Sequence, residues 1–318
     1  MPDPTHSPLF VVLNAGSGHS DAAEARRVIE EGCAAAGRKL RIFTIEAAGQ
    51  VQALAREAVE RARSTQGMVV AAGGDGTINA VAQATLGSGC AFGVLPQGTF
   101  NYFSRAHGIP ADTAEALQVL LTQRPRAVQV GLVNDRVFLV NASLGLYAQL
   151  LEERESYKTQ YGRSRWVAFW AALATAAKEH RQWRLRMAWR GQEREVRTTS
   201  LFIGNNPLQL HQVGIEQADE PERGRLAAVL LKPIGPLAMP GLILRAAMGR
   251  LGQADDIESF PFESLTVKPA RGRGPRRIKV ATDGEVLQLE MPLLFRVSPE
   301  PLWLIRPEVA PELEAARA

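Results

Sequence analysis

The chain has little of what marks several common protein classes. Only two of its 318 residues are cysteines, Cys33 and Cys90. Their separation fits neither a metal-ligand spacing nor a disulfide framework, which agrees with a reducing compartment. No window reaches the roughly 18 uninterrupted apolar residues of a membrane-spanning helix. The first residues lack a basic segment followed by an apolar one, so we expect no export signal and a cytoplasmic protein.

Familiar motifs for binding nucleotides and nucleic acids are also missing. No GxxxxGK[ST] phosphate-binding loop occurs anywhere in the sequence. The run Gly74-x-Gly76 continues to Asn79 without a third glycine, so the dinucleotide fingerprint is absent too. Basic residues are not interleaved with aromatic ones in any recognition motif, and we therefore expect no nucleic-acid partner.

Composition indicates an ordinary folded protein. Hydrophobic residues make up 46% of the chain and charged residues 22%, a balance that excludes wholesale disorder. The length predicts two domains. A net charge of +4 favours anionic partners such as nucleotides or phospholipid headgroups, but does not select one of them.

The first third of the sequence alternates strand and helix patterns. Short apolar runs are each followed by a turn and by a segment with helical spacing, which predicts a parallel sheet covered on both faces. The predicted strands are 9–14, 40–45, 67–73 and 91–96, and the predicted helices are 21–37, 51–63 and 77–86.

After residue 124 the pattern changes to strands separated only by turns, as in "VGLVNDRVFLV" with Asn134 and Asp135 at the bend. This predicts an antiparallel β domain, with a domain boundary near residue 130. Further predicted strands are 183–189, 194–204, 225–231, 262–269, 276–290 and 293–298.

The stretch "VVAAGGDGTINAV" places three glycines around Asp75, directly after a buried strand. A turn from a strand into a helix presents free backbone N–H groups and the positive end of the helix dipole, which together favour an anion. A carboxylate there would repel phosphate unless it meets Mg²⁺, a ribose hydroxyl or a proton to be removed. The turn therefore favours nucleotide chemistry, and a plain glycine-rich connection is the alternative.

The same residues carry a family resemblance. "GGDGT" (73–77) resembles the signature of diacylglycerol kinases, sphingosine kinases and their bacterial lipid-kinase relatives, which NAD kinases and phosphofructokinases share. "LNAGSG" (13–18) is similar to the first turn of that family, and "LPQGTFNYFSRAHGIP" (95–110) to a segment that separates lipid kinases from NAD kinases. Three later motifs follow in the family's order: "NASLG" (141–145), "IGNNP" (203–207) and "ATDGE" (281–285).

The resemblance implies a fold and its boundaries. The implied fold is an N-terminal three-layer α/β nucleotide-binding domain plus a C-terminal antiparallel β-sandwich, with ATP and lipid meeting in the cleft between the two domains. The first domain would comprise residues 1–130 with a returning segment 300–318, and the second, lipid-substrate domain residues 131–299.

The resemblance also implies which residues bind the nucleotide. Asn14 with the Gly16 to Gly18 turn would face the phosphates, and Thr44 would contact the ribose or adenine side, although an ordinary strand-end threonine is an equal alternative. The remaining nucleotide-binding residues would be Gly73, Gly74, Asp75, Gly76, Thr77, Asn79 and Thr99.

Phosphoryl transfer requires positioning, charge neutralisation by Mg²⁺ and a group that accepts the proton of the substrate hydroxyl. In the bacterial branch the resemblance assigns that base to Glu285, and Asp75 would then hold the Mg²⁺ of the nucleotide or orient it. Local sequence offers a simpler reading of "TDGE", a hairpin turn with Asp-Gly at its bend.

Two positions depart from the family pattern. Tyr102 stands where relatives carry an acidic residue, and a phenol stays uncharged near neutrality. Arg223 stands where bacterial relatives carry an aspartate for an additional structural Mg²⁺, and a guanidinium does not ligate Mg²⁺. We therefore expect this second metal site to be lost, with Glu222 or Asp219 as compensating ligands the alternative.

Two segments suit a membrane surface. A helix predicted over 164–180 carries an aromatic face next to basic residues, and 240–252 mixes apolar residues with Arg245 and Arg250. Packing in a core is the alternative for the first segment. The basic loop 271–279 is most simply a solvated surface.

The resulting expectation is an ATP- and Mg²⁺-dependent kinase that acts on a lipid hydroxyl at the inner membrane surface. Diacylglycerol is the first candidate acceptor, followed by sphingoid bases and other lipid alcohols. Two alternatives stay open: an NAD kinase, and a nucleotide-binding protein without turnover, which Tyr102 and Arg223 favour. The sequence leaves the oligomeric state open, with a homodimer as one alternative.

Overall fold

The fold is that of a computed structural model, which describes residues 7–15, 19–47, 49–145, 182–233, 241–242, 244–245, 248–270 and 276–308. The chain divides into two compact units. Unit 1 comprises Met1–Val128 with Pro299–Ala318, and unit 2 comprises Gln129–Ser298. The helix predicted over 164–180 and residues 271–275 of the basic loop lie outside the described residues.

Unit 1 is built on one six-stranded sheet, called sheet I, with the strand order β2-β1-β3-β4-β18-β5. Its strands are parallel except β5, which runs antiparallel to β18. The strands are β1 (Leu9–Asn14), β2 (Leu40–Ile45), β3 (Met68–Gly73), β4 (Ala91–Pro96), β5 (Pro125–Val128) and β18 (Leu302–Ile305).

The helices of unit 1 form two layers. They are α1 (His19–Ala35), α2 (Val51–Thr65), α3 (Asp75–Thr85), α4 (Tyr102–Ala106) and α5 (Thr113–Thr122). Helix α1 packs with α5 and α2 with α3, and both pairs contact sheet I. The connection from β1 to β2 moves along the sheet in the direction opposite to the connections from β2 to β3 and from β3 to β4. Because such connections are right-handed, the pair α1 and α5 lies on one face of the sheet and the pair α2 and α3 on the other. The predicted three-layer α/β fold is confirmed.

The order of strands in sheet I reverses direction at β1. The chain moves from β1 to β2 on one side, and then passes back over β1 to β3 on the other. Ligands of open α/β sheets bind at such a switch point, beyond the carboxyl ends of the two strands. In this sheet those ends are Asn14 of β1 and Gly73 of β3.

The structure corrects three expectations for unit 1. Helix α3 begins at Asp75 rather than residue 77, so the aspartate lies within its first turn. Helices α4 and α5 were not predicted. A capping signal for α5 was present, because the Asp112 carboxylate accepts hydrogen bonds from the backbone N–H groups of Ala114 and Glu115.

Unit 2 is a sandwich of two six-stranded antiparallel sheets. Sheet II has the order β10-β9-β14-β17-β6-β7, and sheet III the order β13-β12-β11-β8-β15-β16. Sheet II contains β6 (Gly131–Val133), β7 (Arg136–Phe138), β9 (Trp183–Trp189), β10 (Gln192–Thr198), β14 (Ser264–Pro269) and β17 (Leu293–Val297). Sheet III contains β8 (Asn141–Gly145), β11 (Ser200–Gly204), β12 (Leu226–Leu231), β13 (Ile257–Phe262), β15 (Arg277–Thr282) and β16 (Glu285–Glu290).

One hydrophobic core joins the two sheets, which confirms the predicted β-sandwich. Phe138, Met187 and Phe295 of sheet II share this core with Leu144 and Phe262 of sheet III. The helical elements described in unit 2 include α6 (Pro207–Val213) and the short 3-10 helices Glu220–Arg223 and Leu251–Gln253.

Three strand predictions for unit 2 were incomplete. Residues 194–204 form β10 and β11, which lie in different sheets. Residues 276–290 form two strands joined by a turn at Asp283 and Gly284, so the hairpin reading of "TDGE" is correct. Strand β13 was missed because it contains Pro261, which a sheet tolerates at its edge, and β13 is an edge strand.

The Asp283 carboxylate ties this hairpin turn to the neighbouring connection between β7 and β8. Its oxygens accept hydrogen bonds from three consecutive backbone N–H groups, those of Leu139 (2.7 Å), Val140 (2.9 Å) and Asn141 (2.9 Å). The backbone N–H of Asp283 in turn donates to the carbonyl of Asn141 at 3.0 Å. One side chain thus satisfies three backbone donors of the segment that leads into β8.

We expect Asp283→Ala to lower the free energy of unfolding of unit 2 by about 2–4 kcal/mol, because three backbone donors lose a charged acceptor. Chemical denaturation monitored by tryptophan fluorescence measures this change. Glu290→Ala is the matched control: its carboxylate lies in the same hairpin, and both it and its partner Arg277 are exposed. That variant should lose less than about 1 kcal/mol, and equal losses in the two variants would contradict the anchoring role.

Candidate functional site

The first candidate site lies in unit 1 at the carboxyl end of sheet I. Asn14 ends β1, and its side-chain Nδ2 donates a hydrogen bond to Oγ1 of Thr77 in the first turn of α3 (3.2 Å). The Thr77 side chain is itself buried. The switch point therefore brings together the predicted residues from the first motif and from "GGDGT".

Glycine is required at Gly73 because the turn folds back tightly on itself. A Cβ at this position would lie 2.8 Å from both Cβ and Oγ1 of Thr77. The carbonyl of Gly73 also accepts a hydrogen bond from the backbone N–H of Gln97 (2.9 Å), which links the end of β3 to the segment after β4.

The glycine-rich turn and the "LPQGTF" loop approach each other closely. A Cβ on Gly98 would lie 2.9 Å from the Cα of Gly74, closer than real Cβ atoms come to backbone. A Cβ on Gly74 would lie 3.5 Å from the Cα of Gly98, which is an ordinary contact. Gly98 is therefore the more restrictive of the two positions, and sequence reasoning assigned it no role.

Asn101 joins the two loops by hydrogen bonds, and sequence reasoning missed it. Its backbone N–H donates to Oδ2 of Asp75 (3.2 Å). Its side chain donates to the carbonyl of Gly98 (2.8 Å) and accepts from the N–H of Gly98 (3.0 Å). Asn101 has a left-handed backbone, with φ at 47°, which asparagine tolerates better than most residues.

The other predicted nucleotide-binding residues lie around this centre. Thr44 is partly buried in β2, paired in register with Leu13 next to the end of β1. Gly76 and Asn79 lie in the first two turns of α3, and Thr99 is exposed in the loop beside Gly98. Gly16 and Gly18 lie outside the described residues.

The chemistry of this end of unit 1 suits a polyphosphate with its own metal ion. The start of α3 provides N–H groups and the positive end of a helix dipole, and Asp75 is the acidic residue of its first turn. Among the described residues, no three His, Cys, Asp or Glu side chains converge as a metal site. Mg²⁺ in nucleotide sites is held mainly by phosphates with one or two protein carboxylates, and a single Asp75 fits that pattern.

Tyr102, the predicted departure from the pattern that the sequence resembles, begins α4 next to Asn101. Burial raises the pKa of its phenol above the ordinary value; the Arg105 guanidinium opposes this shift and the Asp75 carboxylate adds to it. The ring stacks on Phe100 with centroids 6.0 Å apart. Tyr102 is therefore a neutral hydrogen-bonding group in an aromatic setting.

Gln97 is a second residue that sequence reasoning missed. Both polar atoms of its side-chain amide are buried, and neither has a hydrogen-bond partner among the described residues. Its backbone contacts Gly73, so the residue belongs to the same group of loops. Buried amides are almost always paired, which makes Gln97 a candidate ligand contact.

A second candidate site lies in unit 2, where the three later motifs meet in sheet III. Strand β8, which is "NASLG", pairs with β11 on one side and with β15 on the other. The pairing sets Asn141 opposite Gly204 of "IGNNP", and Ala142 opposite Thr282 of "ATDGE". Motifs that begin 62 and 140 residues after "NASLG" therefore lie beside it in the sheet.

Glu285, the predicted base, is the first residue of β16, and its side chain is solvent-accessible. It pairs in register with Thr282 across the hairpin. Partial burial raises its pKa above the ordinary value for glutamate, and the negative charge of Asp283 raises it further. Both effects make the ionised carboxylate more basic.

Buried amide side chains fill the space next to this hairpin. Asn141 Nδ2 donates to Oε1 of Gln209 (2.9 Å), and Asn205 Nδ2 donates to the carbonyl of Leu139 (2.9 Å). Gln129 Nε2 donates to Oδ1 of Asn205 (2.8 Å). In the part of the chain that the structure describes, two buried atoms of β8 have no partner: Oδ1 of Asn141 and Oγ of Ser143.

The position expected to have lost a structural Mg²⁺ contains an ion-pair cluster. Glu220 is only 8% exposed, and its carboxylate lies 2.5 Å from Nε of Arg225 and 3.4 Å from Nη1 of Arg223. The negative charge that a cation would need at this position is thus already paired with two guanidinium groups. The residues present do not fit a second magnesium ion.

Two large hydrophobic side chains are exposed in the segment expected to suit a membrane surface, namely Leu244 (59%) and Met248 (52%). The N–H of Met248 donates to the carbonyl of Leu244, so the two residues lie one helical turn apart. None of the helices that the structure describes is long and apolar enough to cross a membrane.

Comparison with known proteins gives concordant matches. Residues 8–133 match the family described as diacylglycerol kinase catalytic domain. A "Probable lipid kinase YegS-like" from Klebsiella pneumoniae (strain 342) is 44% identical over 79 residues, 24% of this chain and 27% of the relative. One of that name from Pseudomonas aeruginosa (strain UCBPP-PA14) is 40% identical over 112 residues, 35% of this chain and 36% of the relative. These stretches span only about a quarter to a third of the relatives' lengths.

A solved structure resembles the whole fold. The crystal structure of a diacylglycerol kinase from Bacillus anthracis str. Sterne superposes with a TM-score of 0.66 at 18% identity, covering 95% of this chain and 97% of that one. At this identity the likeness concerns the fold alone. The sequence match is more specific, since residues 8–133, which include the glycine-rich turn, are similar to the diacylglycerol kinase catalytic domain.

Proposed function

We propose that the protein is an ATP-dependent lipid kinase that transfers the γ-phosphoryl group to a lipid hydroxyl, with diacylglycerol as the first candidate acceptor. The observation that carries the proposal is the link between "GGDGT" and the "LPQGTF" loop, made by Asn101 and Asp75. A turn shared with other kinases is joined there to a segment that NAD kinases lack. The catalytic-domain match and the names of the relatives support the same conclusion.

In this proposal unit 1 binds the nucleotide. The N–H groups at the start of α3 would receive the phosphates, because they have no partner within the helix. Asn14 holds Thr77 in place beside them. The buried amide of Gln97 would contact the nucleotide too, since its donor and acceptor have no partner within the described part of the chain.

Asp75 is the carboxylate of unit 1 that would hold Mg²⁺ bound to the nucleotide. Such an ion neutralises charge on the phosphates and aligns the transferred group. The hydrogen bond from Asn101 occupies one of the two Asp75 oxygens, which fixes the orientation of the carboxylate. Asp75 would thus provide one carboxylate ligand for Mg²⁺, held in a fixed orientation.

Unit 2 would supply the general base. Glu285 is proposed to accept the proton of the lipid hydroxyl as the oxygen attacks phosphorus. Its raised pKa supports this role, because a stronger base removes a hydroxyl proton more readily near neutral pH. The hydrogen bonds of Asp283 to three backbone N–H groups keep the turn that precedes Glu285 in one conformation.

The proposal predicts that the full-length protein, incubated with γ-labelled ATP and a mixed lipid extract, transfers label into the organic phase. Glu285→Gln should lower turnover by about 10²- to 10⁴-fold, the usual effect of losing a general base, while ATP affinity stays close to that of the wild type. Mass spectrometry of the labelled lipid identifies the acceptor.

Glu290→Gln serves as the control, since Glu290 lies at the other end of the same strand and its side chain is exposed. Label found in NADP⁺ instead of a lipid would indicate an NAD kinase. Nucleotide binding without label transfer to any acceptor would indicate a protein without turnover, and full activity of Glu285→Gln would exclude Glu285 as the base.

A second prediction concerns pH. Because Glu285 must be ionised to accept a proton, kcat/KM should rise with pH through a limb above the ordinary pKa of glutamate. Asp283→Asn removes the negative charge that raises this pKa, so the limb should move to lower pH. The measurement is kcat/KM against pH, at temperatures where both proteins are folded. A limb that stays in place or moves upward would contradict the assignment.

A third prediction concerns the contact of the two loops in unit 1. Gly98→Ala should lower the free energy of unfolding by about 1–3 kcal/mol and weaken ATP binding, because the new Cβ forces the backbone of Gly74 away. Thermal unfolding with and without an ATP analogue measures both effects. Gly74→Ala is the matched control for stability, as its Cβ finds an ordinary contact. Equal stability of the two variants would show that the close approach is not required.

A further inference from the structure

We propose that a cavity at the amino end of sheet I is a binding site for a small organic carboxylate, which Arg63 would bind through its guanidinium group and Ser88 through its hydroxyl. The inference goes beyond the proposed function, because neither ATP nor a lipid takes part in it. It starts from a cavity of about 260 Å³ whose lining residues all belong to unit 1.

The cavity lies where two strands of sheet I begin. Met68 is the first residue of β3 and Ala91 the first of β4, and both line the cavity. The candidate nucleotide site lies at the other end of the same sheet, next to Gly73, which is the last residue of β3. The length of β3 separates the two ends by about 16 Å. A ligand in the cavity would therefore occupy a different place from the nucleotide.

Arg63 provides a positive charge at the cavity that no acidic side chain neutralises. It lies in the last turn of α2 and is exposed to solvent. None of the ion pairs found in the described part of the chain involves Arg63, whereas Arg61 of the same helix is paired with Glu57. No aspartate or glutamate is among the described residues that line the cavity. A guanidinium group binds a carboxylate through two parallel hydrogen bonds, so a carboxylate is the natural partner.

The helix ends next to the cavity do not oppose an anion strongly. The carbonyl groups of a last helical turn would repel an anion if they were left without a donor. At the end of α2 the Ala62 carbonyl accepts a hydrogen bond from the backbone N–H of Gln66. After α3 the Thr85 carbonyl accepts one from the N–H of Ser88 (3.0 Å). These hydrogen bonds leave the guanidinium group as the main charge at the cavity.

The rest of the lining suits a short hydrocarbon body with one polar end. The Ser88 Oγ accepts a hydrogen bond from the N–H of Cys90 (3.1 Å), so the hydroxyl can donate its own hydrogen to a ligand. Ala62, Met68 and Ala91 provide apolar surface. Most small-molecule sites combine such a surface with a few polar groups that fix the orientation of the ligand. One cation and one hydroxyl match a single carboxylate, whereas inorganic phosphate would leave the apolar surface without a partner.

Cys90 lines the cavity and can report on it. Iodoacetate and iodoacetamide alkylate a thiolate at the same carbon with loss of iodide, but the first carries a carboxylate and the second a neutral amide. We expect the ratio of the iodoacetate rate to the iodoacetamide rate to be about threefold to tenfold higher at Cys90 than in N-acetylcysteine, because Arg63 attracts the carboxylate. Arg63→Gln should return this ratio to that of N-acetylcysteine. Peptide mass spectrometry measures both rates.

Arg61→Gln is the matched control. Arg61 lies on the same helix, but its guanidinium group pairs with Glu57 (2.8 Å), so the ratio should stay close to that of the wild type. Cys33 is 1% exposed and should stay unmodified, which shows that the protein remains folded during the reaction. A wild-type ratio equal to that of N-acetylcysteine, or an equal fall of the ratio in both arginine variants, would overturn the inference. A folded protein whose Cys90 reacts with neither reagent would overturn it too.

Reversible binding is tested with butyrate at constant ionic strength. Butyrate should slow the reaction of Cys90 with iodoacetamide in a saturable way, while butyramide, which has no charge, should not. Arg63→Gln should abolish this protection. Stronger protection by inorganic phosphate than by butyrate would contradict a carboxylate site, and no protection by butyrate would show that the cavity holds only solvent. These results are separate from the proposed function, because a protein without kinase activity can give them and an active kinase can fail them.

Discussion

The reversal of strand order at β1 is the constraint on which the candidate nucleotide site depends. The chain passes from β1 to β2 on one side and later crosses back over β1 to β3 on the other. Such a reversal leaves a crevice beyond the carboxyl ends of the two strands, here β1 and β3. Asn14 and the glycine-rich turn meet there, and the start of α3 faces the same opening. The loop that follows β4 contacts the same edge of the sheet, through the hydrogen bond from the backbone of Asn101 to Asp75.

Carboxylates in the two units have different structural tasks. Asp75 stands in the first turn of a helix, where the dipole favours its negative charge, and one of its oxygens accepts a hydrogen bond from Asn101. Asp283 instead satisfies three backbone donors, and its charge makes the neighbouring Glu285 more basic. Glu220 is paired with two arginines and resembles neither. Each role follows from the partners rather than from the residue type.

The sequence allowed the parallel sheet to be predicted well, because β1, β3 and β4 are apolar runs of the length that buried parallel strands need. Strand β13 escaped, since Pro261 reads as a break unless the edge position is known. Candidate residues in "GGDGT" were recognisable from a resemblance. Gly98 and Asn101 were not, as their roles depend on a contact between loops that sequence spacing does not show.

Unpaired atoms are a further kind of information that a sequence withholds. Ser143 and Gln97 are ordinary residue types in ordinary local patterns, and only packing reveals that their polar atoms are buried with no partner among the described residues. Alternation along β8 does predict which residues share a face. It does not predict that the side-chain oxygen of Gln209 accepts the hydrogen bond that Asn141 Nδ2 donates.

The position of β18 has a consequence for biosynthesis. This strand is formed by residues 302–305, yet it lies inside sheet I between β4 and β5, and among the described strands β5 pairs only with β18. During translation the four-stranded parallel part and the whole sandwich emerge before residue 302 leaves the ribosome. Unit 1 is therefore the first to begin folding and the last to be completed, so a nascent chain halted early would present an open sheet edge to chaperones.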